Sequence, residues 1–151
     1  MEKPSMKLSS FHKLAARLQD FKIPILPKLI YYMQFLLFNS SLPATVKIGK
    51  NTVFGYGGIG VVIHARAVIG RDCVLGQGIT IGGRSKAYGV PVIGNNVYVG
   101  PGARILGDIT IGNNVIIGPN SVVIDSIPDN CIAVGIPAKI IKKNINKEDY
   151  V

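Results

Sequence analysis

Val92-Ile93-Gly94-Asn95-Asn96-Val97-Tyr98-Val99-Gly100-Pro101-Gly102-Ala103-Arg104-Ile105 restates itself every six residues, and the restatement runs far beyond it in both directions. Stepping by six gives Ile63, Ile69, Leu75, Ile81, Ala87, Ile93, Val99, Ile105, Ile111, Ile117 and Val123, of which ten of eleven are Ile, Leu or Val. Gly follows at 70, 76, 82, 94, 100, 112 and 118. An average usage of about 7% would put roughly one Gly or fewer among those positions, so the period is real.

A helical turn of 3.6 residues does not return every sixth residue to one face. Short strands joined by tight turns do, each offering one aliphatic side chain inward and a Gly where the backbone bends. Repeats of this kind build a parallel β-helix in which each coil buries its neighbour's apolar row. A second inward row is legible at Ala67, Cys73, Val97, Ala103, Val115 and Ser121, all small or slim. A parallel sheet with helical crossovers is excluded, because no stretch between 45 and 134 could hold the crossover helices.

Composition sets further limits. The 151 residues make one domain with room for a core. Cys73 and Cys131 give no disulfide framework, and Cys73 sits in an inward slot where packing is its expected role. With no secretory signal read at the start, the expected location is cytoplasmic. The net charge of +9 is scattered or terminal: Lys3, Lys7, Lys13, Arg17, Lys22 and Lys28 precede the repeat, and Lys139, Lys142, Lys143 and Lys147 follow it. It accompanies no aromatic-studded basic motif, so no nucleic acid is expected. A polyanionic small molecule or a membrane surface accounts for it equally well.

Residues 1–41 form a different segment, 42–141 the repeat, and 142–151 a basic tail. The pattern predicts a helix over Phe11–Asp20, a break around Pro24 and Pro27, and a second helix from about Lys28 to Asn39. The second is apolar around most of its girth, yet its run is half what a membrane span requires. Something should therefore cover residues 28–38: the base of the β-helix, another subunit, or a lipid surface that would make the protein peripheral at the inner membrane.

The closing stretch, Ile127-Pro128-Asp129-Asn130-Cys131-Ile132-Ala133-Val134-Gly135-Ile136-Pro137-Ala138-Lys139-Ile140-Ile141, supplies a family likeness. With Val92–Tyr98 and Val99–Gly107 it resembles the hexapeptide-repeat acyltransferases, most closely short forms of the serine acetyltransferase branch that lack a large helical N-terminal domain. The resemblance implies a single-stranded left-handed β-helix, an exception to the right-handed crossover rule. It also implies a homotrimer with active sites between adjacent prisms, and acetyl transfer from acetyl-CoA to a hydroxyl, with no metal. The acceptor would be L-serine or a sugar hydroxyl of a polysaccharide pathway; a noncatalytic scaffold that binds CoA is the remaining alternative.

A hydroxyl needs a general base to take its proton during attack, and the thioester oxygen needs donors as charge builds on it. The family's histidine aligns with Tyr56 or Gly57, its aspartate partner with Ser41 or Leu42, and its second histidine with Val90, so those roles do not carry over. His64, at a corner position that is usually Gly, is the alternative base, because imidazole titrates near neutrality. Tyr56 is the alternative donor or orienting hydroxyl. The resemblance further implies that the pantetheine arm lies along Gly100, Pro101, Gly118 and Pro119, with Gly102 beside them. Lys139 would meet the nucleotide phosphates. Arg84, Lys86 and Tyr88, in the polar loop that interrupts the repeat at Ala87, would contact substrate or CoA.

Overall fold

The computed structural model describes residues 7–151, so Lys3 and the rest of the first six residues lie outside it. The repeat winds into a left-handed parallel β-helix with three flat faces. Face I carries Val62–Ile63, Thr80–Gly82, Arg104–Leu106 and Val122–Val123. Face II carries Lys47–Ile48, Val68–Ile69, Val92–Ile93 and Thr110–Ile111. Face III carries Val53–Phe54, Val74–Leu75, Tyr98–Val99, Ile116–Ile117 and Cys131–Gly135, and ends on antiparallel Ala138–Lys143.

Register explains the period. Val62 pairs with Thr80 and Arg104 with Val122, each eighteen residues on, which is three hexads per coil. Thr80 pairs with Arg104, twenty-four on, because the loop around 84–90 inserts one extra hexad. That insertion is why the six-step count passes through Ala87 without losing phase, although Ala87 itself is exposed. Lys47 pairs with Val68, twenty-one on, because the turn Gly55–Gly58 inserts three residues.

Both predicted rows are inside. The ten aliphatic residues of the first row are each at most 2% exposed, and the six of the second at most 1%. Each large aliphatic side chain so buried contributes about 1.5–3 kcal/mol relative to leaving it in water. Cys73 is buried and donates from Sγ to the carbonyls of Arg71 and Gly94. Burial pushes its thiol pKa up, as expected of a packing residue.

The ends are closed differently. Helix α1 (Leu8–Asp20) begins three residues earlier than the pattern predicted and lies across the first coil. Leu8 packs on Gly58 so closely that a Cβ there would come within 2.6 Å of Leu8 Cβ. Phe11 meets Phe38 edge to face at 5.6 Å. Helix α2 (Leu26–Phe38) also starts early: Pro27 sits in its first turn, where no N–H is needed, so only Pro24 lies in the break. Ile30, Gln34 and Phe38 of α2 are buried, whereas Leu29, Tyr32, Phe35, Leu36 and Leu37 are half or more exposed. Among the described residues no helix is long and apolar enough to cross a membrane. At the other end the tail folds back, and buried Lys147 donates to Asn96 Oδ1 at 2.7 Å.

Candidate active site

The chain turns three times per coil, and the three edges differ in chemistry. On the II/III edge a residue with positive φ recurs at Asn51, Asp72, Asn96, Asn114 and Asn130. Their amides stack, with Asn96 Nδ2 donating to Asn114 Oδ1 and Asn114 Nδ2 to Asn130 Oδ1, both at 2.9 Å. The Asn95, Asn113 and Asp129 oxygens accept backbone N–H groups of the coil before. This edge satisfies the turns and leaves the chemistry to the other two.

The III/I edge is nearly bare backbone. Gly76, Gly100 and Gly118 stack so tightly that a Cβ on Gly76 would lie 2.5 Å from Pro101 N, and one on Gly100 2.5 Å from Pro119 N. Only glycine fits such a row. Pro101 and Pro119 continue the strip, and Val134 of the next coil covers Gly118. Lys139 pairs with Val134 across the antiparallel hairpin and is exposed. The structure thus brings Gly100, Pro101, Gly118, Pro119 and Lys139 onto one line parallel to the prism axis.

Tyr56 stands at the lower end of the same edge. It is 67% exposed and adopts a left-handed backbone, φ 48° and ψ 36°, in the three-residue insertion. Ser40, which the sequence reading passed over, fastens this turn: its hydroxyl donates to Gly58 O at 2.6 Å and accepts from Val61 N at 3.0 Å. The reading also passed over Arg104, whose guanidinium donates to the Gly78 and Gly102 carbonyls and puts a cation beside the glycine row.

His64 lies elsewhere, on the I/II edge at the end of its face I strand. Within one chain Tyr56 and His64 therefore occupy different corners of the prism. The half-buried imidazole accepts the Arg66 N–H through Nδ1 at 3.2 Å. Arg66 reaches over the inserted loop: its Nη2 donates to Tyr88 O at 2.6 Å, and its guanidinium lies 4.1 Å from the Tyr88 ring centre. Gly89 is pressed on Asp108, where a Cβ would have no room. Arg84 and Lys86 are exposed on the same loop, with Lys86 at φ 67°. No sequence motif marks Arg66; its only advance signal is a cation two residues after the corner histidine.

Comparison with known proteins adds a family likeness. Residues 91–125 match the bacterial transferase hexapeptide (six repeats) model. The chain is 37% identical over 143 residues to a serine acetyltransferase of Synechococcus elongatus, covering 93% of this chain and 58% of the relative. Among solved structures, serine acetyltransferase from Brucella abortus in complex with coenzyme A superposes with a TM-score of 0.84 at 29% identity, over 89% of this chain and 54% of that one. Soybean serine acetyltransferase complexed with serine gives 0.80 at 33% identity, over 87% of this chain and 54% of the other. The chain thus spans a little over half the length of these relatives.

Proposed function

We propose that this hexapeptide-repeat chain is an acetyl-CoA-dependent O-acetyltransferase of the serine acetyltransferase type, working as a cyclic homotrimer. In each cleft the III/I edge of one protomer faces the I/II edge of the next. The observation that carries the reading is the backbone strip through Gly100 and Gly118 that ends at Lys139. A strip without side chains admits a slender pantetheine arm, and the lysine at its end suits phosphate. The coenzyme A complex of the Brucella relative supports coenzyme A as the ligand.

Acetyl-CoA supplies an activated thioester; the chain supplies position and proton transfer. Pro101 and Pro119 flank the arm, while Arg84, Lys86 and Tyr88 close over the acceptor from the neighbouring edge. His64 takes the acceptor proton once its ring releases the Arg66 amide, a role worth about 10²–10⁴-fold in rate. Tyr56 orients the acceptor hydroxyl or donates to the acyl oxygen as charge grows there. The first acceptor is L-serine, following the soybean complex.

A second reading of the acceptor, a sugar hydroxyl of a lipid-linked polysaccharide precursor, draws on α1 and α2. Exposed Phe21, Ile25, Leu29, Tyr32, Leu36 and Leu37 surround Lys22 and Lys28, a composition that suits the interface of an anionic bilayer. In that reading the protein is cytoplasmic and peripheral at the inner membrane surface. Thiol release from acetyl-CoA, measured with L-serine and with nucleotide sugars, tests the proposal. Acceptor-dependent release supports it and names the acceptor class, whereas release with neither leaves the noncatalytic scaffold. Light scattering tests the assembly: a monomer mass independent of concentration would remove the shared cleft.

A further inference from the structure

Arg104 opens its face I strand beside the III/I edge and is exposed. All of its side-chain hydrogen bonds leave from one nitrogen, Nη1, which donates to the carbonyls of Gly78, Gly102 and Ala103. Gly78 and Gly102 belong to successive coils, since Gly102 N donates to Gln77 O. The guanidinium is therefore clamped across two rows of the edge, and its plane is held. Nε–H and Nη2–H leave from its other side and meet no acceptor among the described residues. Nor does a carboxylate of those residues pair with Arg104; the ion pair among them is Arg71 with Asp72.

The height of Arg104 on the edge matters. Above the turn that carries Tyr56 come the rows 76–78, 100–102 and 118–120, and then Val134, which pairs with Lys139. Three steps separate the row of Gly78 from that of Lys139, about 14 Å at the usual strand spacing. With phosphates at Lys139 and the pantetheine arm along the strip, the thioester comes down beside Gly78 and Arg104, one row above Tyr56. A Cβ on Gly78 would meet nothing within 4 Å, so there is open space at this level. A thioester oxygen takes one donor at a time. Two parallel N–H groups on a held plane match the two oxygens of a carboxylate instead.

We propose that Arg104 binds the carboxylate of the acceptor, Nε–H and Nη2–H each donating to one of its oxygens while Nη1 stays on the backbone. The inference rests on the acetyl-transfer reading and narrows it to a hydroxyl compound that also bears a carboxylate, as L-serine does. A neutral sugar would leave the fork unpaired. Anchoring the carboxylate also limits where the hydroxyl can go, and holding a nucleophile in place against the thioester is itself a source of rate.

Titration calorimetry in the presence of coenzyme A, with L-serine and ethanolamine as probes, tests this without turnover. Ethanolamine keeps the hydroxyl and the ammonium of serine and lacks only the carboxylate. The parent should bind L-serine at least about tenfold more tightly, the usual worth of a charge-assisted hydrogen bond. Arg104→Gln should bring L-serine down to the ethanolamine level and leave ethanolamine and coenzyme A within about twofold. A merely structural arginine would weaken all three together, and that result overturns the proposal. Arg104→Lys, which keeps the charge and loses the fork, should also lose most of the preference; if Arg104→Gln fails to fold, an undiminished preference in Arg104→Lys overturns the proposal. Equal affinities in the parent overturn it too, as does no binding of L-serine. A preference that Arg104→Gln removes upholds the carboxylate site even where thiol release is absent, a result that would sink the acetyl-transfer reading alone.

Discussion

Arg66 holds Tyr88 in two ways at once, by a 2.6 Å hydrogen bond to its carbonyl and by a guanidinium 4.1 Å from its ring centre. The same residue's backbone N–H is bonded to His64 Nδ1. One arginine therefore ties the corner histidine of the second coil to the loop inserted in the third. If that loop closes over the acceptor, Arg66 is a positioning residue for it.

Arg66→Gln should raise the acceptor KM about five- to tenfold and leave kcat within about twofold, because a cation–π contact and one exposed hydrogen bond are together worth about 1 kcal/mol. The KM for acetyl-CoA should not move. Steady-state kinetics with each substrate varied in turn separates this from a structural role, which would lower kcat and Tm together.

Lys139→Glu should weaken coenzyme A more than dephospho-CoA if the side chain pairs with the 3′-phosphate. Equal losses measured by calorimetry would place Lys139 at the pyrophosphate, and no loss would take it out of the site. The residue is exposed, so stability should change by less than about 0.5 kcal/mol.

The glycine row makes a paired stability prediction. At Gly100 an added Cβ meets backbone at 2.5 Å, whereas at Gly78 it meets nothing within 4 Å and only the positive φ of 65° is strained. Gly100→Ala should therefore cost clearly more than Gly78→Ala, the latter about 1 kcal/mol. Urea midpoints of the two variants decide; equal losses would mean that the row can relax.

Stability should also fall towards both ends of the pH scale for identifiable reasons. His12 is lowered from 6.5, so below pH 6.5 the unfolded chain binds a proton that the native ring refuses, and stability declines as pH falls through that window. Cys73 is raised from 9.0, so above pH 9.0 the unfolded thiol ionises while the native one stays neutral, and stability declines as pH rises. Melting temperatures across pH should show the acid slope reduced in His12→Phe and the alkaline slope reduced in Cys73→Ala.

The faces of the prism were legible in the sequence because a six-residue period leaves little choice once the aliphatic row is aligned. Leu42, Ile48 and Phe54 belong to the same row, but the three residues inserted at Gly55–Gly58 throw them out of phase with Ile63, so the first coil was harder to read. The amide stack on the II/III edge was passed over although its signal, paired polar residues at 95–96, 113–114 and 129–130, recurs. The start of the second helix is hidden because Pro27 looks like a breaker and is a first-turn residue. The likeness that named Gly100, Pro101, Gly118, Pro119 and Lys139 picked residues that do share an edge. His64, picked as a corner histidine, and Tyr56, picked where the family's histidine aligns, lie on different edges of one chain.

That separation is the centre of the account, and subunit mixing tests it most directly. His64→Ala and Tyr56→Phe should each lose most of the acceptor-dependent thiol release. If one cleft takes Tyr56 from one protomer and His64 from the next, co-folding the two variants in equal amounts should rebuild parental clefts at roughly a quarter of sites in a cyclic trimer. Activity should return to about that fraction of the parent. A mixture no more active than the two variants measured apart would contradict a site shared between the two edges.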